Sequence, residues 1–179
     1  SFKLHEGEIL GMAGLVGAGR TETVRALYGA DPKDSGEIWI KGKKVVINSP
    51  VDAVKNGIGY LSEDRKNFGL ALGLDVRDNL VMANLDQYLN HGIVRDRQIS
   101  EASEHYVDFL NIKTPSVWHL VKNLSGGNQQ KVVVSRWLLK NSDVLIFVES
   151  TRGIDVGAKD EMYKIIRKLA ANGKSIILI

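Results

Sequence analysis

The chain has 179 residues, 44% hydrophobic and 25% charged, with 18 Gly, 3 Pro and a net charge of +3; at about 150 residues per domain this is one domain, able to bury roughly 70% of its unfolded surface without a covalent staple. The lack of Cys excludes disulfides and thiolate zinc sites, and His5, His91, His105 and His119 include no i,i+4 pair that would suggest a histidine metal site. Apolar runs reach only about five residues against the roughly 20 that span a bilayer, and the mild positive charge is that of a solvated surface, not by itself a nucleic-acid footprint.

Ser1–Glu8 alternates polar and apolar residues and is not a signal-peptide pattern. Ile9–Ala13 is predicted as a strand running into the glycine-rich turn Gly14-Leu15-Val16-Gly17-Ala18-Gly19. Val24, Leu27 and Tyr28 then fall at helical spacing, so Arg20–Tyr28 is predicted as a helix stopped by Gly29. Glu37–Lys41 and Lys44–Ile47 are extended, with Gly42 between them as a hairpin turn. Ile58–Leu61 is a further short strand. From about Asp75 to Lys140 the pattern turns helical, with Ala102, Tyr106, Phe109 and Leu110 as one stripe. Val144–Val148 is a buried strand, Met162, Ile165, Ile166, Leu169 and Ala170 stripe a last helix ending at Asn172-Gly173, and Ile176–Ile179 starts another strand. Apolar strands between amphipathic helices predict an α/β fold with a parallel sheet covered on both faces. The early alternating strands form a small antiparallel appendage, and the central helical stretch is an insertion.

Two glycine motifs carry chemistry. Gly14-x-x-x-x-Gly19-Arg20-Thr21 fits the P-loop pattern G-x-x-x-x-G-K-[ST], with Arg in the Lys place. Glycines let backbone N–H groups curl around phosphate oxygens, and the helix N-terminus adds positive potential. Arg keeps the charge but presents a planar fork instead of a point charge. A tight strand–helix turn of a dinucleotide fold is the other reading of these glycines, although their order is not G-x-G-x-x-G. Leu124-Ser125-Gly126-Gly127-Asn128-Gln129-Gln130 is the second motif. Ser125 is a helix cap, and Gly126 and Gly127 allow close backbone approach. Taken alone it is equally a plain capped helix.

Leu124–Lys131 resembles the signature of the ATP-binding cassette (ABC) family, in the form found in sugar-importer ATPases. Nearly the whole chain follows that family's motif order: the phosphate loop, Gly59-Tyr60-Leu61-Ser62-Glu63-Asp64-Arg65, a helical insertion, the signature, an apolar strand ending in Glu149, and Gly153-Ile154-Asp155. The wording is most similar to the C-terminal cassette of ribose- and galactose-type importer subunits. The resemblance implies a P-loop NTPase (RecA-like) core over residues 1–179, with the insertion at about 66–140. It also implies a domain trimmed at both ends, because an adenine-stacking aromatic and a late switch residue have no counterpart here.

By that resemblance, Gly14, Gly17, Ala18, Gly19, Arg20, Thr21 and Glu22 bind the chain's own ATP. Ser125, Gly126, Gly127 and Gln129 meet the ATP of a second cassette paired head to tail, and Asp155 lies along that partner. Thr21 and Glu63 are the implied Mg²⁺ ligands; Glu149 is the general base that orients water, and Glu63 stands with it in the catalytic set. Without the resemblance, Glu63-Asp64-Arg65 is a solvated charge cluster. The family pattern has Asp at 148 and Pro at 150, where this chain has Val148 and Ser150. Val accepts no hydrogen bond from Mg²⁺-bound water, so the chain's own site is expected to be impaired. Further implied partners are membrane permease subunits and, indirectly, a periplasmic sugar-binding protein, at the cytoplasmic face of the membrane and with no nucleic acid. A soluble ABC ATPase of the DNA-repair or translation type and a dinucleotide-binding oxidoreductase are the alternatives. Salt-sensitive nucleic-acid binding would mark the first, and NAD binding the second.

Overall fold

The computed structural model describes residues 1–15 and 17–179; Val16 of the glycine loop lies outside the described residues. The chain divides into two compact units. Unit 1 is Ser1–Tyr60, Ser142–Glu149 and Arg167–Ile179, and unit 2 is Leu61–Asn141 and Ser150–Ile166.

Unit 1 is built on a sheet of β1 (Ile9–Gly11), β8 (Ser175–Leu178), β7 (Val144–Phe147) and β4 (Ile58–Leu61), in that spatial order. β1 runs parallel to β8 with Leu10 opposite Ile177, and β8 runs parallel to β7 with Ile177 opposite Ile146. Ile58, Ile146, Val148 and Ile177 pack with Val24 and Tyr28 of α1 (Arg20–Tyr28) and Ala53 of α2 (Pro50–Lys55). Leu145, Phe147 and Ile176 have the opposite parity and are also wholly buried. Side chains alternate across a strand, so these central strands are buried on both faces, as a parallel sheet requires. The edge strand β1 is more open, with Ile9 exposed. Tyr28 stacks on Tyr60 with ring centroids 5.0 Å apart.

The predicted appendage is present: β2 (Ile38–Ile40) pairs antiparallel with β3 (Lys43–Val45) around Lys41-Gly42, both at positive φ. Helix α1 has the predicted bounds, closed by Gly29 in the left-handed conformation. Helix α2 was not expected. Ser49 caps it by accepting from the Asp52 N–H at 3.3 Å, and Pro50 occupies the first turn, where its missing N–H costs nothing.

Unit 2 holds a π-helical turn at Arg65–Gly69, α3 (Val76–Val81), α4 (Asp96–Phe109), α5 (Gly126–Leu139) and the first part of α6 (Val156–Ala171). The stretch expected to be helical is interrupted by a hairpin of β5 (Leu89–Asn90) and β6 (Ile93–Val94). Its two-residue turn, His91-Gly92, has positive φ at both positions, the geometry that suits the twist of paired strands. The α4 stripe also shifts: Ile99, Ser103 and Leu110 are buried, while Phe109 is exposed. No helix among the described residues is long and apolar enough to cross a membrane.

Helix α5 organises this unit. Its residues from Gln129 to Leu138 are buried on every side, polar ones included. Arg136 donates from Nε to the Asn79 carbonyl and from Nη1 to the Gly69 carbonyl, both at 2.7 Å. Asn79, fully buried, accepts from the Ala71 N–H at 2.9 Å and donates to the carbonyls of Ala71 and Asp75. Lys131 Nζ reaches the Asn111 carbonyl at 2.9 Å and Glu161 at 2.8 Å.

Lys131 holds the Glu161 carboxyl below its ordinary value, first by hydrogen bonding and then by charge. A carboxylate whose pKa is depressed by folding stabilises the fold above its unfolded pKa, about 4.3, and that contribution fades as pH falls through the folded value. Glu161→Gln is therefore expected to be less stable than the parent at pH 6, by less than about 1 kcal/mol because the carboxylate is half exposed. Urea unfolding at pH 6 and pH 3.5 checks this: the gap should shrink at the lower pH.

Candidate functional site

In unit 1 the glycine loop leads directly into α1. Gly17 and Gly19 have φ of 80° and 76°, a region closed to most side chains. A Cβ on either would meet nothing within 4 Å, so backbone conformation, not space, calls for glycine there. Gly14 differs, because a Cβ on it would come within 3.2 Å of Ala18 Cβ. Gly19 is the N-cap of α1 and provides no side-chain cap. By contrast, Ser49, Asp75 and Ser125 offer a side-chain oxygen to the start of their helices, and Asp155 accepts from the Ala158 N–H at 2.8 Å. The first amides of α1 are thus left for a ligand, and an anion is what they and the helix dipole suit.

Arg20 curls back on the loop, with Nη2 3.4 Å from the Leu15 carbonyl. Thr23, not Thr21, bonds its hydroxyl to the loop, donating to the Gly19 carbonyl at 2.6 Å. Thr21 is half-buried in the first turn, and Ala18 and Glu22 are exposed. At the end of β7, Val148 is wholly buried in the apolar cluster with Val24, Ile58 and Ile177. The next residue, Glu149, is exposed and sits at φ 40°, with its N–H donating to the Ile179 carbonyl at 3.0 Å. A non-glycine residue in this region costs of order 1–3 kcal/mol, a strain concentrated at functional positions.

In unit 2, Ser125 caps α5, and its Oγ accepts from Asn128 Nδ2 at 2.9 Å and from the Asn128 N–H at 3.5 Å. The two glycines after it prove to be packing positions. A Cβ on Gly126 would come within 2.6 Å of Arg65 Nη2 and 3.1 Å of the Gly153 carbonyl, and one on Gly127 within 2.7 Å of Ala158 Cβ. Close backbone approach therefore occurs here against the chain's own Gly153–Ala158 segment. Gln129 is buried, donating to the Val121 carbonyl at 3.2 Å and accepting from Arg65 Nε at 3.4 Å. Asp155 spends one carboxylate oxygen on the cap of α6.

The Glu63-Asp64-Arg65 cluster splits by burial. Glu63 is exposed, 3.7 Å from Arg152. Asp64 accepts from the Asn67 N–H at 3.1 Å. Arg65 is only 9% exposed and donates to the carbonyls of Arg152 at 2.9 Å and Gly153 at 3.3 Å. Burial pulls its pKa below the ordinary guanidinium value, yet arginine stays charged. No periodicity or spacing marks Arg65, whose partners are main-chain oxygens far along the sequence. Among the described residues no three His, Cys, Asp or Glu side chains form a ready metal cage.

A parallel sheet whose first strand runs through a left-handed glycine loop into an uncapped helix defines a P-loop nucleotide-binding fold. The sequence profile of the ABC transporter family matches residues 1–152, and the chain belongs to that family. It is 55% identical over 179 residues to a putative ribose/galactose/methyl galactoside import ATP-binding protein of Burkholderia lata, covering 99% of this chain and 35% of that one. A similarly named protein of Agrobacterium fabrum is 53% identical over 180 residues, covering 100% of this chain and 36% of the relative. One from Halalkalibacterium halodurans is 51% identical over 179 residues, covering 100% and 34%. The chain thus spans about a third of the length of the curated relatives it matches. Among solved structures it is similar to an ATP-binding cassette dimer in a post-hydrolysis state bound to ADP and Pi. That match has a TM-score of 0.79 at 20% identity, covering 99% of this chain and 76% of that one. A nucleotide-free ABC-transporter cassette matches with a TM-score of 0.75 at 18% identity, covering 98% and 71%. At these identities the two structures speak for the fold alone.

Gly127→Ala places a methyl group against Ala158 and is expected to destabilise the protein by about 1–3 kcal/mol, as overpacking does. Gly17→Ala meets no neighbour and carries only backbone strain, about 1 kcal/mol. Denaturant midpoints of the two variants should therefore fall in that order.

Proposed function

We propose that the chain is the nucleotide-binding domain of a monosaccharide importer, using ATP with Mg²⁺. The uncapped N-terminus of α1 behind Gly17 and Gly19 carries this reading: it is an anion cradle that the rest of the fold leaves unfilled. The import names of the relatives supply the substrate class. The loop amides, with Gly14, Ala18, Arg20, Thr21 and Glu22 around them, would hold the phosphates. ATP with its cation supplies the phosphoanhydride bond and part of its own charge neutralisation. Thr21 and Glu63 are hard oxygen donors of the kind Mg²⁺ takes, and with no protein cage among the described residues the cation would be held largely through phosphates. Glu149, fixed by its left-handed backbone and its bond to Ile179, would position the attacking water.

Ser125, Gly126 and Gly127 would meet the ATP of a second cassette arranged head to tail, with Asp155 and Gln129 shaping that surface. Permease subunits and a periplasmic sugar-binding protein complete the assembly at the cytoplasmic face of the membrane. Val148 makes the chain's own site weak. It packs in the apolar core at the position where the family carries Asp, so the water shell of the cation loses an acceptor.

Calorimetric titration is expected to show ATP binding with only slight dependence on Mg²⁺, and no NAD binding; the reverse preference overturns the reading. Val148→Asp should raise Mg²⁺-dependent ATP affinity about 10–100-fold, the usual worth of an outer-shell partner. The same carboxylate, buried where Val148 is wholly enclosed, should lower the melting temperature of the ligand-free protein, with recovery in Mg²⁺ and ATP. An unchanged Mg²⁺ dependence would remove Val148 as the cause of weakness.

A further inference from the structure

We infer that Asn128 is a positioning residue that fixes the hydroxyl of Ser125 as a hydrogen-bond donor, so that this end of α5 accepts an anionic oxygen and refuses a cation. The inference rests on the reading above, in which Ser125 meets a partner's nucleotide. It concerns which atom of Ser125 does so, and what decides it.

The orientation of Asn128 is set by a backbone group. The Lys113 N–H lies 2.9 Å from the Asn128 side chain. An N–H can only donate, so the atom facing it is Oδ1, and the amide cannot be flipped. Nδ2 is then the atom 2.9 Å from Ser125 Oγ, and it can only donate. The Asn128 N–H adds a second, weaker donor to the same oxygen at 3.5 Å. A hydroxyl has two lone pairs and one proton. Asn128 takes both lone pairs of Ser125, and no acceptor among the described residues takes its proton. Ser125 is exposed and Asn128 half-buried, so the proton faces outward from a fixed base. With its lone pairs engaged, Oγ has nothing to offer Mg²⁺; with its proton free, it suits a phosphate oxygen, where a charge-assisted bond is about twice as strong as a neutral one.

Substituting Asn128 separates this role from a structural one. In Asn128→Asp, one carboxylate oxygen still accepts from Lys113 while the other accepts the Ser125 proton, turning the donor inward. The new carboxylate also lies in the first turn of α5, where negative charge favours the helix. The variant should melt at or above the parent temperature and keep the ATP affinity of the phosphate loop. Its ATP-dependent self-association, followed by sedimentation of the full chain, should weaken at least tenfold. Asn128→Ala frees the hydroxyl and should weaken association severalfold, an effect that disappears when Ser125→Ala is already present. An Asn128→Ala effect of equal size with and without the Ser125 hydroxyl overturns the inference, as does Asn128→Asp associating like the parent. If the parent binds ATP but never associates with it, the pairing itself fails, and the role of Asn128 fails with it.

Discussion

A buried guanidinium bonded to main-chain carbonyls is the constraint on which unit 2 depends. Arg65 is desolvated, and its charge is met by the carbonyls of Arg152 and Gly153 and by the amide oxygen of Gln129. An uncompensated buried charge would cost several kcal/mol, so the three acceptors must stay where they are. Two belong to the loop before α6 and one to the first turns of α5. The guanidinium thereby fixes the start of one helix against the approach to another. Arg136 repeats the device further along α5, drawing on Asn79 and Gly69. The rigid fork of arginine, with five donors, suits this use in a way the point charge of lysine does not.

Unit 1 depends on the opposite condition, a polar end left unfilled. Its sheet is buried on both faces and the floor of the loop is apolar, Val148 included. Against that floor, the amides at the start of α1 and the strained backbone of Glu149 are the places where local bonding is incomplete or costly. Stability and binding are thus separated by residue: the core supplies the first, and the loop, left-handed at Gly17 and Gly19, supplies the second. Val148 contributes to the core what an Asp there would contribute to the metal site.

Much of this was legible in the sequence where the controlling force is local. Helix α1 ends where Gly29 ends it, the β2–β3 hairpin turns at Gly42, and the core strands fall on the apolar runs. Helix α2 was missed although Ser49-Pro50 carries a start signal, because six residues leave no room for periodicity. The β5–β6 hairpin was missed because two-residue strands have no alternation to read. At the candidate site the glycines stood out, but their separate reasons did not. Gly17 needs its backbone angle, whereas Gly127 needs the space that Ala158 takes up. Arg65 and Asn128 were silent, since each acts through a main-chain group that only the tertiary fold brings near.

The contact between Gly127 and Ala158 also bears on motion. Two backbones this close leave no slack for a side chain to absorb a shift, so the start of α5 and the start of α6 travel as one body within unit 2. A spectroscopic label on Asp160, at the surface, would then register a displacement of the Ser125 end without touching it. The serine that faces a ligand and the loop that ends in Asp155 are two faces of a single mechanical part.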